Sequence, residues 1–124
     1  MSKVLVVDDE VLISMMIEDL LLELGHTVVG PVSSVASALP LCKEVDCALL
    51  DLTIRGGSSY PIAEALAERG IPFAFATGHA DWQLDNRFKK VPVLEKPFGS
   101  NELREVIGKM LPAKAKSDLR PQPR

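Results

Sequence analysis

Short apolar segments alternate with helix-like segments along most of the chain, and this alternation restricts the possible folds more than any other feature. Each apolar segment is five or six residues long, the length of a strand that is buried on both faces. The predicted strands cover 3–7, 27–31, 46–50, 72–77 and 91–95. Helices are predicted at 10–24, 34–43, 59–70, 80–88 and 100–111.

Strands that alternate with helices predict an α/β fold: a doubly wound parallel sheet of five strands, with about five helices on its two faces. The second helix should be short or kinked because it contains Pro40. The fourth should be short because its segment is brief and polar. The first helix is predicted to end at Gly25 and to direct one apolar face inward, formed by Leu12, Met15, Met16, Leu20 and Leu24.

Length and charge limit the functional classes. With 124 residues, 47% of them hydrophobic, the chain is large enough for one core, and a single domain is predicted over 1–112. The net charge is −3, and the last eleven residues carry +3, which leaves −6 on residues 1–113. Such an acidic body argues against nucleic-acid binding, and residues 113–124 are predicted to be a disordered basic tail.

No signal peptide or membrane span is predicted, because no apolar run approaches the roughly 18 residues that a span needs. Cys42 and Cys47 are too few for a disulfide scaffold and lack the spacing of metal ligands. We expect both to be small apolar core residues. These observations together predict a cytoplasmic protein.

Polar residues follow four of the predicted strands at the point where each strand ends. Ligands bind at this edge in open α/β sheets. Because chance would scatter such residues over both edges of the sheet, their shared position is a strong indication of a site. The residues are Asp8 and Asp9, then Asp51, Thr77 and Lys96.

Three carboxylates and an ammonium at one edge suit a divalent cation and a phosphate. The carboxylates would repel one another unless a cation lay among them, and hard oxygen ligands favour Mg²⁺. Asp51 is the candidate nucleophile, and Lys96 would neutralise the phosphate. Thr77 offers a hydroxyl, and Gly78 leaves room for a bulky donor. As an alternative, Asp8 and Asp9 could simply cap the first helix, although this would not explain Asp51.

This set of residues, with Lys96 followed by Pro97 and Phe98, resembles the receiver domains of bacterial two-component response regulators. The resemblance covers residues 3 to about 111 and implies the flavodoxin-like strand order 2-1-3-4-5. It further implies that Asp9, Asp51 and the backbone carbonyl of Thr53 bind Mg²⁺, with Asp8 bound through water. Asp51 would receive a phosphoryl group from a sensor histidine kinase or a histidine phosphotransferase, and Thr77 and Lys96 would report its arrival.

A narrower resemblance lies in the segment 72–78, Pro-Phe-Ala-Phe-Ala-Thr-Gly, which is similar to the "FAT GUY" motif of single-domain receivers in alphaproteobacterial stress signalling. That subgroup usually has an aromatic residue where this chain has His79. Ordinary receivers also have an aromatic residue three positions before the lysine, where this chain has Val93. We therefore expect output through the segment 78–90, and His79 and Thr53 lie where they could tune the lifetime of the phosphoryl group.

The leading hypothesis is a stand-alone response regulator that signals by binding an unknown downstream protein or by passing the phosphoryl group onward. It would catalyse only its own phosphorylation and dephosphorylation. A phosphate sink and a phosphorylation-independent interaction module are the alternatives. A haloacid dehalogenase-type phosphatase is disfavoured, because such enzymes need an acid two residues after the nucleophile, where this chain has Thr53.

Overall fold

Five parallel strands form the central sheet. The computed structural model describes residues 2–54, 57–78, 84–96 and 98–111. The strands of the sheet are β1 (Lys3–Val7), β2 (Thr27–Val32), β3 (Cys47–Asp51), β4 (Phe73–Thr77) and β5 (Val93–Glu95). Their order is β2-β1-β3-β4-β5, and every neighbouring pair is parallel. The predicted doubly wound sheet with the order 2-1-3-4-5 is confirmed.

Four α-helices lie among the described residues: α1 (Val11–Glu23), α2 (Val35–Ala38), α3 (Tyr60–Glu68) and α4 (Ser100–Met110). A 3₁₀ helix over Leu39–Glu44 replaces the second half of the predicted second helix, and Pro40 lies in its first turn. A short antiparallel ladder of Thr53–Ile54 with Gly57–Ser58 was not predicted.

The predicted helix over 80–88 is wrong in its described part. Leu84 and Asp85 are not helical, and Asn86–Phe88 form a single 3₁₀ turn capped by the Asp85 carboxylate, which accepts the Arg87 N–H at 3.0 Å. The Phe88 N–H bonds the Asp85 carbonyl at 2.8 Å and the Lys89 N–H bonds the Asn86 carbonyl at 3.4 Å, and bonds to the third residue back define a 3₁₀ turn rather than an α-helix. Residues 79–83 lie outside the described part of the chain.

The prediction for the inner face of α1 is partly wrong. The helix buries Ser14, Ile17 and Leu21, whereas Leu12 is 80% exposed and Met15 is 54% exposed. The other three residues of the predicted face, Met16, Leu20 and Leu24, pack partly buried against the core. Apolar residues occur on nearly all sides of this helix, so periodicity alone did not distinguish the inner face.

Two apolar clusters, one on each face of the sheet, form the core. Alternate residues of the strands point to opposite faces: Val4 and Leu49 pack with α1 and α4, and Leu5 and Leu50 pack with α2, α3 and Phe88. Both cysteines are free and buried, as predicted. None of the helices in the described ranges is long and apolar enough to cross a membrane. The predicted tail over 113–124 lies outside the described residues.

Candidate functional site

Asp51 is the last residue of β3 and lies at the carboxyl edge of the sheet, where it is 8% exposed. Its neighbours in the sheet are β1 and β4, so the residues that follow these two strands flank it. Asp8 and Asp9 follow β1, and Gly78 follows β4. The parallel order of the strands therefore brings together residues that are distant in sequence.

The carboxylates of Asp8, Asp9 and Asp51 converge at this edge, and one oxygen from each lies within 4.8 Å of the others. Asp8 is 3% exposed, and its Oδ1 accepts the Glu10 N–H at 2.8 Å. The N-cap of α1 is Glu10, which makes no side-chain capping bond. Helix capping therefore does not account for the two aspartates, and the alternative from the sequence is not supported.

Lys96 follows β5 and places its ammonium among these acids. Its Nζ lies 2.8 Å from Asp8 Oδ2, 3.2 Å from Glu10 Oε1 and 3.4 Å from Asp51 Oδ2. Burial alone would lower the pKa of Lys96, but the hydrogen bond to Asp8 and the charge of Asp51 outweigh burial and raise this pKa. The side chain is therefore a permanent cation at neutral pH.

Burial raises the pKa of Asp51 to about 6. The charge of Lys96 lowers this pKa, while the charge of Asp8 adds to the rise, and the backbone N–H of Thr53 donates a hydrogen bond that favours the carboxylate. The carboxyl group is thus mostly ionised at neutral pH although it is almost inaccessible to solvent. A nearby cation would remove the remaining cost of its charge.

A cavity of about 350 Å³ opens beside Asp51, lined by Asp9, Glu10, Asp51, Thr53, Gly78 and Lys96. Gly78 leaves open space, because a Cβ at this position would meet no atom of the described residues within 4 Å. Thr77 does not line the cavity, and it is only 1% exposed at the end of β4. To hydrogen-bond a phosphate in this cavity, Thr77 would have to move or change its rotamer.

Val93 and His79 are the two positions that depart from the common receiver pattern, and only Val93 lies among the described residues. Val93 is partly buried and pairs with Phe75 across the sheet. His79 lies outside the described residues, as does Pro97. The expected role of His79 in phosphoryl lifetime thus stays a prediction.

Glu10 is a residue of the site that the sequence analysis did not single out. Its carboxylate is one of the three that surround Lys96, and its side chain is 62% exposed at the mouth of the cavity. The run Asp8-Asp9-Glu10 was a signal for it. Because Asp8 and Asp9 directly follow β1, Glu10 comes next in the chain and its carboxylate can reach the Lys96 ammonium as well.

The donor set fits a hard divalent cation. Asp8, Asp9 and Asp51 offer carboxylate oxygens close enough to share one ion, and the cavity leaves space for water ligands. The Thr53 residue that the resemblance implies as a carbonyl ligand lines the same cavity. Among the described residues, no nitrogen or sulfur ligand belongs to this cluster, which favours Mg²⁺ over transition metals.

Comparison with known proteins identifies the class of protein that this fold and site define. No protein-family model and no curated protein sequence matches the chain. The structure of SdrG from Sphingomonas melonis Fr1 is 46% identical over 89% of this chain and 96% of that one, with a TM-score of 0.80. A BeF3-activated conformation of SdrG from Pseudomonas melonis Fr1 matches with a TM-score of 0.77. The chain belongs to the receiver domains of two-component response regulators.

Two further similarities are more distant. The response regulator PhyR from Brucella abortus is 27% identical over 95% of this chain, which spans 51% of PhyR, with a TM-score of 0.78. The receiver domain of the sensor histidine kinase PA1611 from Pseudomonas aeruginosa PAO1 has a magnesium ion in its active site cleft. It is 23% identical over 88% of this chain and 96% of that one, with a TM-score of 0.75, and shows the shared fold.

Proposed function

We propose that the chain is a stand-alone response regulator in which Asp51 accepts a phosphoryl group from a phosphohistidine. The observation that carries this proposal is the convergence of three carboxylates and one ammonium on a cavity at the sheet edge. The donor would be a sensor histidine kinase or a histidine phosphotransferase. The chain would act on no other substrate, and it would catalyse only its own phosphorylation and dephosphorylation.

Asp51 would be the nucleophile. Its carboxylate lines the cavity and is largely ionised at neutral pH, because its pKa is about 6. One carboxylate oxygen forms a bond to phosphorus while the phosphorus–nitrogen bond of the donor breaks. The imidazole leaves with the electron pair of that bond and retains or takes up a proton from solvent.

Lys96 and the acidic cluster would complete the chemistry. Lys96 is already within 3.4 Å of Asp51 Oδ2, so a modest movement of its ammonium would pair it with the phosphoryl oxygens. Asp9, Asp51 and the Thr53 carbonyl would hold Mg²⁺, with Asp8 acting through water, as in the family. When bound, the ion neutralises the negative charge that gathers on the phosphate oxygens.

The surface beside the site supports a protein donor. Val11, Leu12 and Met15 are 70%, 80% and 54% exposed at the start of α1, directly after the acidic cluster. A second cavity of about 360 Å³ is lined by Val11 together with Asp8 and Asp9. Exposed apolar residues next to a reactive group are typical of a docking surface, because a protein donor must bury area to position its histidine.

We further propose that output depends on the segment that follows β4, since Val93 offers no ring that could change rotamer. The downstream target would be a protein, and the resemblance to the "FAT GUY" subgroup supports a role in general stress signalling. PhyR from Bartonella quintana, 27% identical over 94% of this chain with a TM-score of 0.77, is described as an anti-anti-sigma factor, and this similarity supports a regulator that acts through proteins.

The test is phosphorylation of Asp51 in the purified protein. With Mg²⁺ and acetyl phosphate we expect an alkali-labile label that Asp51→Asn abolishes. Asp19→Asn makes the same substitution on the exposed side of α1 and should leave labelling unchanged. EDTA should abolish labelling of the wild-type protein. A wild-type protein that stays unlabelled by acetyl phosphate and by a phosphorylated kinase would favour the interaction-module alternative.

A further inference from the structure

Tyr60, the first residue of α3, connects this helix to the segment 84–88. Its hydroxyl oxygen accepts the backbone N–H of Asp85 at 2.8 Å. Its ring packs against Phe88 and Phe75, with centroid distances of 5.1 and 5.8 Å. The hydroxyl thus fixes the backbone of this segment at one point, and the ring fixes its one buried aromatic side chain.

Contacts at Arg87 add to this attachment. The guanidinium pairs with Glu64 on α3 and lies 4.9 Å from the Phe88 ring centroid. Arg87 and Glu64 are each about half exposed, so solvent weakens their attraction. The hydrogen bond of Tyr60 is therefore the most specific attachment of the segment to α3.

A backbone connection leads from Tyr60 to the site. Both the N–H and the hydroxyl of Ser59 donate to the Leu52 carbonyl, at 3.3 Å each. Leu52 directly follows Asp51, and its own N–H donates to the Ala76 carbonyl on β4 at 2.9 Å. Through these bonds, a displacement of the backbone after Asp51 would pass to the start of α3, and with it to the hydroxyl that holds Asp85.

We propose that Tyr60 is a positioning residue that carries the state of Asp51 to the segment 84–88. This inference rests on the proposed function and names the residue through which the signal leaves the site. Val93, which lacks a ring, pairs in the sheet with Phe75, and Phe75 is one of the two rings that Tyr60 contacts. Ring contacts to Phe75 from outside β4 thus come from Tyr60 on α3 and from Phe88 in the segment 84–88, rather than from β5.

The first test measures amide exchange in the unmodified protein. The Phe88 N–H donates to the Asp85 carbonyl at 2.8 Å and reports opening of the segment. Tyr60→Phe keeps the ring and removes the acceptor, so exchange of the Phe88 amide should rise roughly two- to tenfold. Unchanged exchange would overturn the inference.

A pair of backgrounds separates the hydrogen bond from general loosening. Asp85→Pro removes the donor, and the Asp85 φ of −54° suits proline. Asp85→Ala is the matched control, because it also loses the capping carboxylate but keeps the amide. In the Asp85→Ala background, Tyr60→Phe should again raise exchange of the Phe88 amide. In the Asp85→Pro background, the same substitution should raise this exchange by less than twofold. Equal increases in both backgrounds would overturn the inference.

The second test adds beryllofluoride and Mg²⁺, with binding at Asp51 followed by fluorine NMR. Exchange of the Phe88 amide should rise at least twofold in the wild-type protein and by less in Tyr60→Phe. Binding without any change at Phe88 would overturn the inference and leave the proposed function intact. Absence of both beryllofluoride binding and phosphorylation would contradict the proposed function and, with it, the positioning role that rests on it.

Discussion

Lys96 lies closer to Asp8 than to Asp51: its Nζ is 2.8 Å from Asp8 Oδ2 and 3.4 Å from Asp51 Oδ2. The ammonium therefore bridges two buried carboxylates rather than serving one. A phosphoryl group on Asp51 would compete with Asp8 for this cation. Because Asp8 also belongs to the cluster that fits Mg²⁺, an ion bound there would weaken the ion pair between Asp8 and Lys96.

Loss of Lys96 should destabilise the metal-free protein. Lys96→Met leaves the buried carboxylates of Asp8 and Asp51 without a counter-charge, and we expect a loss of about 3 kcal/mol in the free energy of unfolding at pH 7.5. Urea titration measures this loss, and added Mg²⁺ should restore part of it. The exposed control Lys90→Met should change stability by less than about 0.5 kcal/mol. Equal stability of both variants would contradict the bridging role.

Removal of the Asp51 charge should stabilise the metal-free protein in a pH-dependent way. Burial raises the folded-state pKa from 3.8 to about 6, so the ionised carboxylate opposes folding above about pH 6. This opposition fades as the pH falls from about 6 towards 4, because the folded protein takes up the proton first. Asp51→Asn should therefore gain about 1–3 kcal/mol at pH 7.5, and the gain should shrink towards pH 4. A gain in the free energy of unfolding that is independent of pH would contradict the raised pKa of Asp51. Asp19→Asn, the same substitution at an exposed position, is the control.

Gly78→Ala should discriminate between donors by size. Since a Cβ at this position meets no atom of the described residues within 4 Å, the substitution should leave stability and labelling by acetyl phosphate nearly unchanged. Transfer from a phosphohistidine protein should fall by roughly tenfold, because a clash with a bulky donor costs about 1–3 kcal/mol. Gly108→Ala, at a helix glycine with similarly open space, is the control for transfer rates. Equal effects on both donors would show that Gly78 does not provide room for a protein.

Leu12→Ser should weaken only reactions with a protein donor. The side chain is 80% exposed, so its loss should cost little stability, whereas an apolar contact at the centre of a docking surface is worth more than about 1 kcal/mol. We expect transfer from the phosphorylated kinase to fall fivefold or more and labelling by acetyl phosphate to stay the same. Leu22→Ser removes another exposed leucine about 15 Å further along α1 and serves as the control. An equal loss in both variants would indicate a general effect of the helix rather than docking beside Asp51.

The sheet and the acidic cluster could be predicted because they depend on features that the sequence states locally. A strand buried on both faces is apolar throughout, and its end is marked by the first charged residue, as at Asp8 and Asp51. The inner face of α1 could not be predicted fully, because Leu12 and Ile17 are equally apolar and only the packed core decides between them.

Other features depend on geometry that appears only after folding. The hydrogen bond between Tyr60 and Asp85 joins residues 25 positions apart, and no pattern in the sequence pairs the two. The segment 84–88 was predicted to be part of a helix, but in the structure the Asp85 carboxylate caps a single 3₁₀ turn. The bridging position of Lys96 between two acids follows from side-chain rotamers, which a sequence pattern does not contain.

The parallel arrangement of the strands also sets when the site can first exist. Asp8 and Lys96, which form the closest ion pair of the cluster, are 88 positions apart in the chain. During synthesis, the three aspartates leave the ribosome well before Lys96, which is their counter-charge. Under the proposed function, a nascent chain would carry the phosphoacceptor Asp51 without Lys96, the group that would orient its phosphate. Competence to receive a signal would then arise only after β5 has joined the sheet.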